Sequence, residues 1–393
     1  MLQAATTRTR WSEVAALIGA GYIVACQVGK AAIAIPLLRQ DLGIGLVAAS
    51  WIVGAYGTLG ALAGLPTGLL VARFGVRRAL IAGLMQVGAG SGLGALASTP
   101  ELLMATRVLE GAGFLLVVIA APALLRLAAA PRDRDLVFAC WSTYMPGGTA
   151  LMLLLGPTLT AGGWPPLWLA NGFAAGLYGL ILWGLLRQGS ADAPVPEAGP
   201  HLTAMLRRPG QLLLALAFGA YTFQYFALST LLPTVLVERL GLGIGTAGAI
   251  GAAAVIANAL GNLAAGVLMR LRVPLWATMA GAFAVVGLAA PGIFAADLPL
   301  LPVAALACAS LGISGLIPAS IFAAAPRLAT TSPLMAVTLG LLIQASNLGQ
   351  FLGPAALGSE VQHFGWPSAW TVFVAVAVVG IAVALRLRKL LTS

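Results

Sequence analysis

Charge is what this sequence has least of. Of its 393 residues, 8% are Asp, Glu, Lys or Arg, against about a quarter in a soluble domain. A chain so poor in charge cannot dress a water-facing surface, which excludes a soluble enzyme or binding module. Histidine is scarcer still. His201 and His363 both fall in loop-like stretches, and nothing around them has metal-ligand spacing. Cysteine occurs three times. Cys26, Cys140 and Cys308 all lie inside apolar runs, and an odd count with no evident pairing reads as buried small hydrophobes rather than a disulfide framework. No Gly-x-x-x-x-Gly-Lys-[Ser/Thr] loop occurs, so ATP is not the expected energy source. Alternation of polar and apolar residues is missing too, which excludes a transmembrane barrel. No cofactor, metal or catalytic residue is expected.

What the sequence has is apolar length. Hydrophobic residues make up 60% of the chain, gathered into runs near the roughly 20 residues that cross a bilayer. The first run follows Arg8 and Arg10 and is too long for the core of a cleaved signal peptide. The pattern predicts an all-α membrane protein with twelve transmembrane helices, among them 12–37, 45–70, 101–127, 136–160 and 299–325. The longest polar stretch, Arg187–Arg208, then divides two six-helix bundles, 1–187 and 209–393, joined by a cytoplasmic linker at 188–208. Of the 21 lysines and arginines, seventeen fall on one side of this arrangement. Only Arg39 and Arg239 fall on the other, with Lys30 and Arg107 inside the membrane. That asymmetry places both termini in the cytoplasm. The net charge of +10 is therefore an orientation signal, not a nucleic-acid footprint. The lipid bilayer is the expected partner, in a bacterial-type inner (plasma) membrane, and the chain is expected to be a monomer.

The two halves echo each other. PLLRQDLGIG at Pro36–Gly45 matches PTVLVERLGLG at Pro233–Gly243, with Gly43 and Gly241 in register. LGPTLTAGGWPPLW at Leu155–Trp168 matches LGPAALGSEVQHFGWPSAW at Leu352–Trp370. Paired Gly-Pro and Gly-Trp-Pro elements at one offset point to duplication of a six-helix unit.

Three arginines concentrate in GLLVARFGVRRAL, Gly68–Leu80. This stretch resembles the loop 2–3 signature of the major facilitator superfamily, Gly-x-Leu-a-Asp-Arg-Phe-Gly-Arg-Arg. Gly68, Leu70, Arg73, Phe74, Gly75, Arg77 and Arg78 match, while Ala72 stands where the family has aspartate. RVLEGAGF, Arg107–Phe114, resembles the family's helix 4 pattern, in which the arginine serves proton or substrate handling. Gly156 and Pro157, followed by Gly162 and Gly163, resemble the helix 5 motif associated with antiporters, which favours export. The helix 1 stretch before AIPLLRQDLG, together with WSTYMPGG in helix 5, is similar to the cyanate/nitroimidazole-type branch. A drug/proton antiporter branch is the other candidate. The resemblance implies two halves rocking about a central site lined by helices 1, 4, 7 and 10.

Ionisable groups inside the membrane are costly and mark function. Here they are Lys30 in helix 1 and Arg107 and Glu110 in helix 4. The expected helix ends put Lys30 and Arg107 at one depth, roughly 10 Å below the outer surface. Glu110 lies one turn beyond Arg107 on the same face. The blander alternatives are snorkelling by Lys30 and a purely internal Arg107–Glu110 pair. Gln27 stands beside the face of Tyr22, Cys26 and Lys30. Tyr221, Gln224 and Tyr225 cluster on helix 7 as candidate substrate contacts. Asn258, Asn262, Ser310, Ser314, Gln344, Asn347 and Gln350 fit a cavity lining or helix–helix hydrogen bonds equally well. Two cations against one carboxylate favour a small anion. The expected function is a proton-coupled secondary transporter whose partners are a small-molecule substrate and the proton. Lys30, Arg107, Gln27, Tyr221, Gln224 and Tyr225 would bind substrate, and Glu110 and Arg107 would couple the proton. The alternatives are a multidrug/proton antiporter, in which Glu110 would take a cationic drug, and a lipid flippase or transporter-like sensor.

Overall fold

The computed structural model describes residues 8–186, 209–328 and 332–391, so the 188–208 linker lies outside the described residues. Every regular element among them is helical. The first half contains α1 (Trp11–Leu42), α2 (Leu46–Gly54), α3 (Thr58–Phe74), α4 (Val76–Gly94), α5 (Pro100–Ala128), α6 (Arg134–Ser142), α7 (Tyr144–Leu155) and α8 (Pro165–Leu185). The second contains α9 (Pro209–Leu240), α10 (Ile244–Arg270), α11 (Leu275–Phe294), α12 (Leu300–Ser314), α13 (Leu316–Leu328), α14 (Ser332–Phe364) and α15 (Ala369–Leu391). Nine stretches among the described residues are long and apolar enough to cross a membrane. The rods outside that group pack along them: α4 against α5 and α8, α7 against α1 and α10, and α14 against α9 and α2.

Several expected helices are interrupted, each for a backbone reason. The one expected at 136–160 divides at Thr143, because Pro146 offers no N–H to the Ser142 carbonyl. The one at 299–325 divides at Gly315, where Pro318 leaves the Ser314 carbonyl without its helical partner. The one at 45–70 passes through a 3-10 turn at Ala55–Gly57 and a kink at Ala63, whose carbonyl accepts the Thr67 hydroxyl at 2.7 Å. The expected loop at Gly68–Leu80 shrinks to one residue. α3 runs on to Phe74, Gly75 turns the chain at φ 85°, and α4 starts at Val76. Only glycine reaches that φ without strain.

The chain turns in matched pairs. Gly43 and Gly241 end α1 and α9 at φ 63° and 64°, and Gly163 and Gly365 precede the two Trp-Pro turns at φ 89° and 80°. Asp41 accepts the Trp164 indole N–H at 2.7 Å, and Glu238 accepts that of Trp366 at 2.9 Å. We call the face holding these turns the upper face. Gly75 lies at the opposite, lower face, where Arg77 donates to the Leu186 and Trp183 carbonyls at 2.9 and 2.6 Å and so caps the end of α8. Cys26 is buried as expected, but Cys308 is only partly covered and Cys140 sits on an exposed face of α6. In a membrane helix an apolar run also supplies the lipid-facing side, so lying within one does not imply burial.

Candidate functional site

α1 is longer than its apolar run. Arg39, Gln40 and Asp41 end the apolar pattern, but the helix carries through Pro36 and stops only at Leu42, ahead of left-handed Gly43. Lys30 therefore lies twelve residues from the helix end, about 18 Å along its axis. That corrects the expected depth: its level partner is Glu110, ten residues into α5, and not Arg107.

The three charges meet in the interior of the first half, with no solvent-exposed surface on any of them. Glu110 bridges both cations. Its Oε1 lies 2.9 Å from Lys30 Nζ, and its Oε2 accepts Arg107 Nη1. Lys30 Nζ also donates to Ser91 Oγ of α4 at 2.5 Å and sits 4.6 Å from the centre of the Trp168 ring of α8. The Ser91 hydroxyl in turn donates to the Trp168 carbonyl at 2.8 Å. Arg107 Nε donates to the Ile52 carbonyl at 3.3 Å, and its guanidinium lies 4.7 Å from the Tyr56 ring centre. The Tyr56 hydroxyl in turn donates to the Val24 carbonyl at 2.7 Å. Each cation thus rests on an aromatic face, an attraction of about 2 kcal/mol once water is excluded.

Small residues make the room. A side-chain carbon added at Gly90 would sit 3.0 Å from Glu110 Cγ, and one at Gly94 would sit 2.7 Å from the Trp168 ring. α4 can carry nothing larger there without displacing the carboxylate or the indole.

The cluster is unbalanced in side-chain count, with two basic groups sharing one carboxylate. With all three groups ionised it would carry one excess positive charge, and Arg107 Nη2 has no hydrogen-bond partner. Buried charge is costly without a counter-ion, so the arrangement can attract an anion and can release a cation when Glu110 takes up a proton.

The other expected substrate residues do not join this cluster. Gln27 is fully buried on α1, where its Nε2 meets the Ile23 carbonyl at 3.5 Å and its Oε1 has no partner. On α9, Tyr221 donates to Asn258 Oδ1 of α10 at 3.3 Å. Tyr225 packs its ring on Tyr221, and its hydroxyl is unpaired. Gln224 points into the second half, where its Nε2 donates to the Phe373 carbonyl of α15 at 2.8 Å. Asn258 bonds the Leu311 carbonyl, and Gln344 the Ala61 carbonyl, so both act as helix–helix ties. Gly156 and Pro157 lie in the turn ending α7, where Pro157 packs near Gly248 of α10, across the two halves. Of the loop signature, Arg73 and Arg78 are exposed and Arg77 is the cap on α8, while Gly68 falls within α3. Among the described residues, no group of His, Cys, Asp and Glu could hold a metal.

Ser91, Tyr56 and Trp168 went unnoticed in the sequence. Trp168 stood out only as part of the internal echo. Ser91 could have been flagged as a lone hydroxyl in the glycine-rich run GAGSGLG, on the helix next to the charges.

The family model for the Major Facilitator Superfamily matches residues 17–336. No curated protein matches the chain. Among solved structures, it is similar to a bacterial homolog of the human lysosomal transporter Spinster in an inward-facing, unoccupied conformation. The TM-score is 0.74 at 16% identity, covering 98% of this chain and 95% of that one. The occupied form of that homolog gives 0.74 at 17%, covering 97% and 95%. The nucleoside transporter NupG gives 0.76 at 13%, covering 96% and 99%. The helical architecture and the match over most of its length agree: this chain is an integral membrane transporter, not an enzyme, and belongs to the major facilitator superfamily.

Proposed function

We propose that the protein is a proton-coupled secondary transporter that moves a small anionic solute by alternating access. Lys30 and Arg107 would hold the anion and Glu110 the proton. The observation that carries the reading is that two buried basic side chains share one carboxylate, with Arg107 Nη2 left unpaired in a fully buried site. Glu110 spends both oxygens on internal cations. This argues against the drug-antiporter alternative, which needs a carboxylate free for a cationic ligand. Protonation of Glu110 would loosen its hold on Lys30 and Arg107 and free them for the anion. Proton and anion then bind cooperatively, each raising the affinity for the other by the same factor, which is the logic of symport. Gln27 and Tyr225, each buried with an unpaired polar atom, would contribute further contacts during the cycle.

The proposal includes twelve membrane crossings in two six-helix repeats, 1–187 and 209–393. The matched turns at Gly43/Gly241 and Gly163/Gly365 and the matched Asp41–Trp164 and Glu238–Trp366 bonds support the duplication. Both termini are assigned to the cytoplasm of a bacterial-type inner membrane, on the arginine asymmetry, and the protein to a monomer.

The test is thermal stabilisation of the purified protein by a panel of inorganic anions, small carboxylates and cationic drugs across pH. Stabilisation by one or more anions, stronger at lower pH and lost in Lys30→Gln, is expected. Stabilisation by cationic drugs alone, or full anion stabilisation of Lys30→Gln, would overturn the anion assignment.

A further inference from the structure

We propose that Arg39 and Glu238 form a reversible latch between the two halves at the upper face, and that this latch weights the balance between the two ends of the transport cycle. Arg39 lies in the last turn of α1 and Glu238 in the last turn of α9, so their ion pair ties the first half to the second. Glu238 is aimed from within its own half, because its Oε2 accepts the Trp366 indole N–H at 2.9 Å, leaving Oε1 for Arg39. The neighbouring Arg239 does not compete. Its guanidinium donates to the Ile293 and Ala296 carbonyls at 2.7 and 3.2 Å, at the end of α11.

The first half has the matching carboxylate–tryptophan bond, Asp41 to Trp164, but that pair borders a cleft of about 420 Å³ walled by its own half, including Leu37, Gln40 and Gly163. One of two repeated structural bonds has thus been turned to face the other half. Two more contacts close the same seam: Gln362 Oε1 accepts the Val47 N–H at 2.9 Å, and the Trp51 and Phe351 rings lie 5.0 Å apart.

Both side chains of the ion pair keep 31% of their surface exposed. Water and salt therefore compete with it, and it holds weakly. Weakness suits a contact that must break in every cycle. The apolar ring contact supplies adhesion, while the ion pair fixes which helix ends meet. The inference rests on alternating access and is independent of which solute is carried.

The experiment uses full-length protein in lipid nanodiscs, with the native cysteines replaced and spin labels at Gln40→Cys and Gly245→Cys on opposite sides of the seam. Arg39→Gln and Glu238→Gln should each raise the ratio of separated to closed upper face by a few-fold, up to about fivefold, the range of a partly exposed pair. Each should leave the melting temperature nearly unchanged. The double variant should match either single one, because both remove the same interaction. Trp366→Phe should produce part of the effect by releasing Glu238. Raising salt to about 1 M, where the Debye length is near 3 Å, should shift the parent protein and leave the glutamine variants where they are. Distance distributions unchanged in both single variants, or effects that add in the double, would overturn the proposal.

Discussion

Glu110 is the residue on which the buried cluster depends, because it divides its two oxygens between two cations. Deleting one partner of a buried ion pair costs about 3–5 kcal/mol, since the remaining charge is stranded. Glu110→Ala is therefore expected to lower stability by at least that much, read as a shift in the denaturation midpoint. Glu110→Gln keeps the size and an acceptor oxygen but cannot take up a proton, so it should bind anion with little dependence on pH. Lys30→Arg should retain part of the binding, since the charge stays while the geometry changes. Ser91→Ala should cost about 2–4 kcal/mol of stability through two lost hydrogen bonds, one of them to the Lys30 ammonium, and leave the pH dependence in place. These charges were legible in the sequence because ionisable residues are costly in apolar runs, although snorkelling and an internal ion pair stood beside the functional reading. The partners were not. Serine, tyrosine and tryptophan are ordinary in membrane helices, and only folding showed Ser91, Tyr56 and Trp168 beneath the cations. Gln224 is ambiguous in another way: an amide in a membrane helix suits a ligand or a backbone carbonyl equally, and here its Nε2 meets the Phe373 carbonyl while its Oε1 has no partner.

At the scale of elements, the apolar runs located the helices but not their true ends. α1 outlasts its apolar pattern by five residues, because a helix stops where the backbone turns at Gly43 and not where polarity rises. That difference moved Lys30 into line with Glu110. Breaks at Thr143 and Gly315 follow from prolines three residues on, a signal present in the sequence but ambiguous, since Pro36, Pro122 and Pro233 sit inside continuous helices. Gly248 shows what close approach demands. A side-chain carbon there would collide with the Leu153 carbonyl of α7 and meet Pro157 at 3.2 Å. Gly248→Val is therefore expected to force α7 and α10 apart. Crosslinking between cysteines introduced on those two helices should fall several-fold relative to the parent, and unchanged crosslinking would show that the seam tolerates bulk.

For the whole molecule, the topology rests on the arginine count, and labelling tests it. In a chain stripped of its native cysteines, impermeant thiol reagent applied from outside should reach Gly163→Cys and Asp297→Cys but not Arg132→Cys. Outside labelling of position 132 would invert the orientation. The fold was legible to the level of the family because the Gly68–Leu80 signature and the internal echo are local patterns. The location of the charges was not: expectation put them on a central cavity, and the structure seats them among α1, α4, α5 and α8, shielded from solvent. A site buried inside one half must be reached by motion, and in the proposed cycle release of the cations from Glu110 would be the step linking proton to solute. The most direct measurement of that link is proton uptake on anion binding, followed in weakly buffered solution with the purified protein and an anion that stabilises it. The account predicts uptake approaching one proton per anion bound, abolished in Glu110→Gln while that variant still binds. Anion binding by the parent protein with no proton uptake at any pH would contradict it.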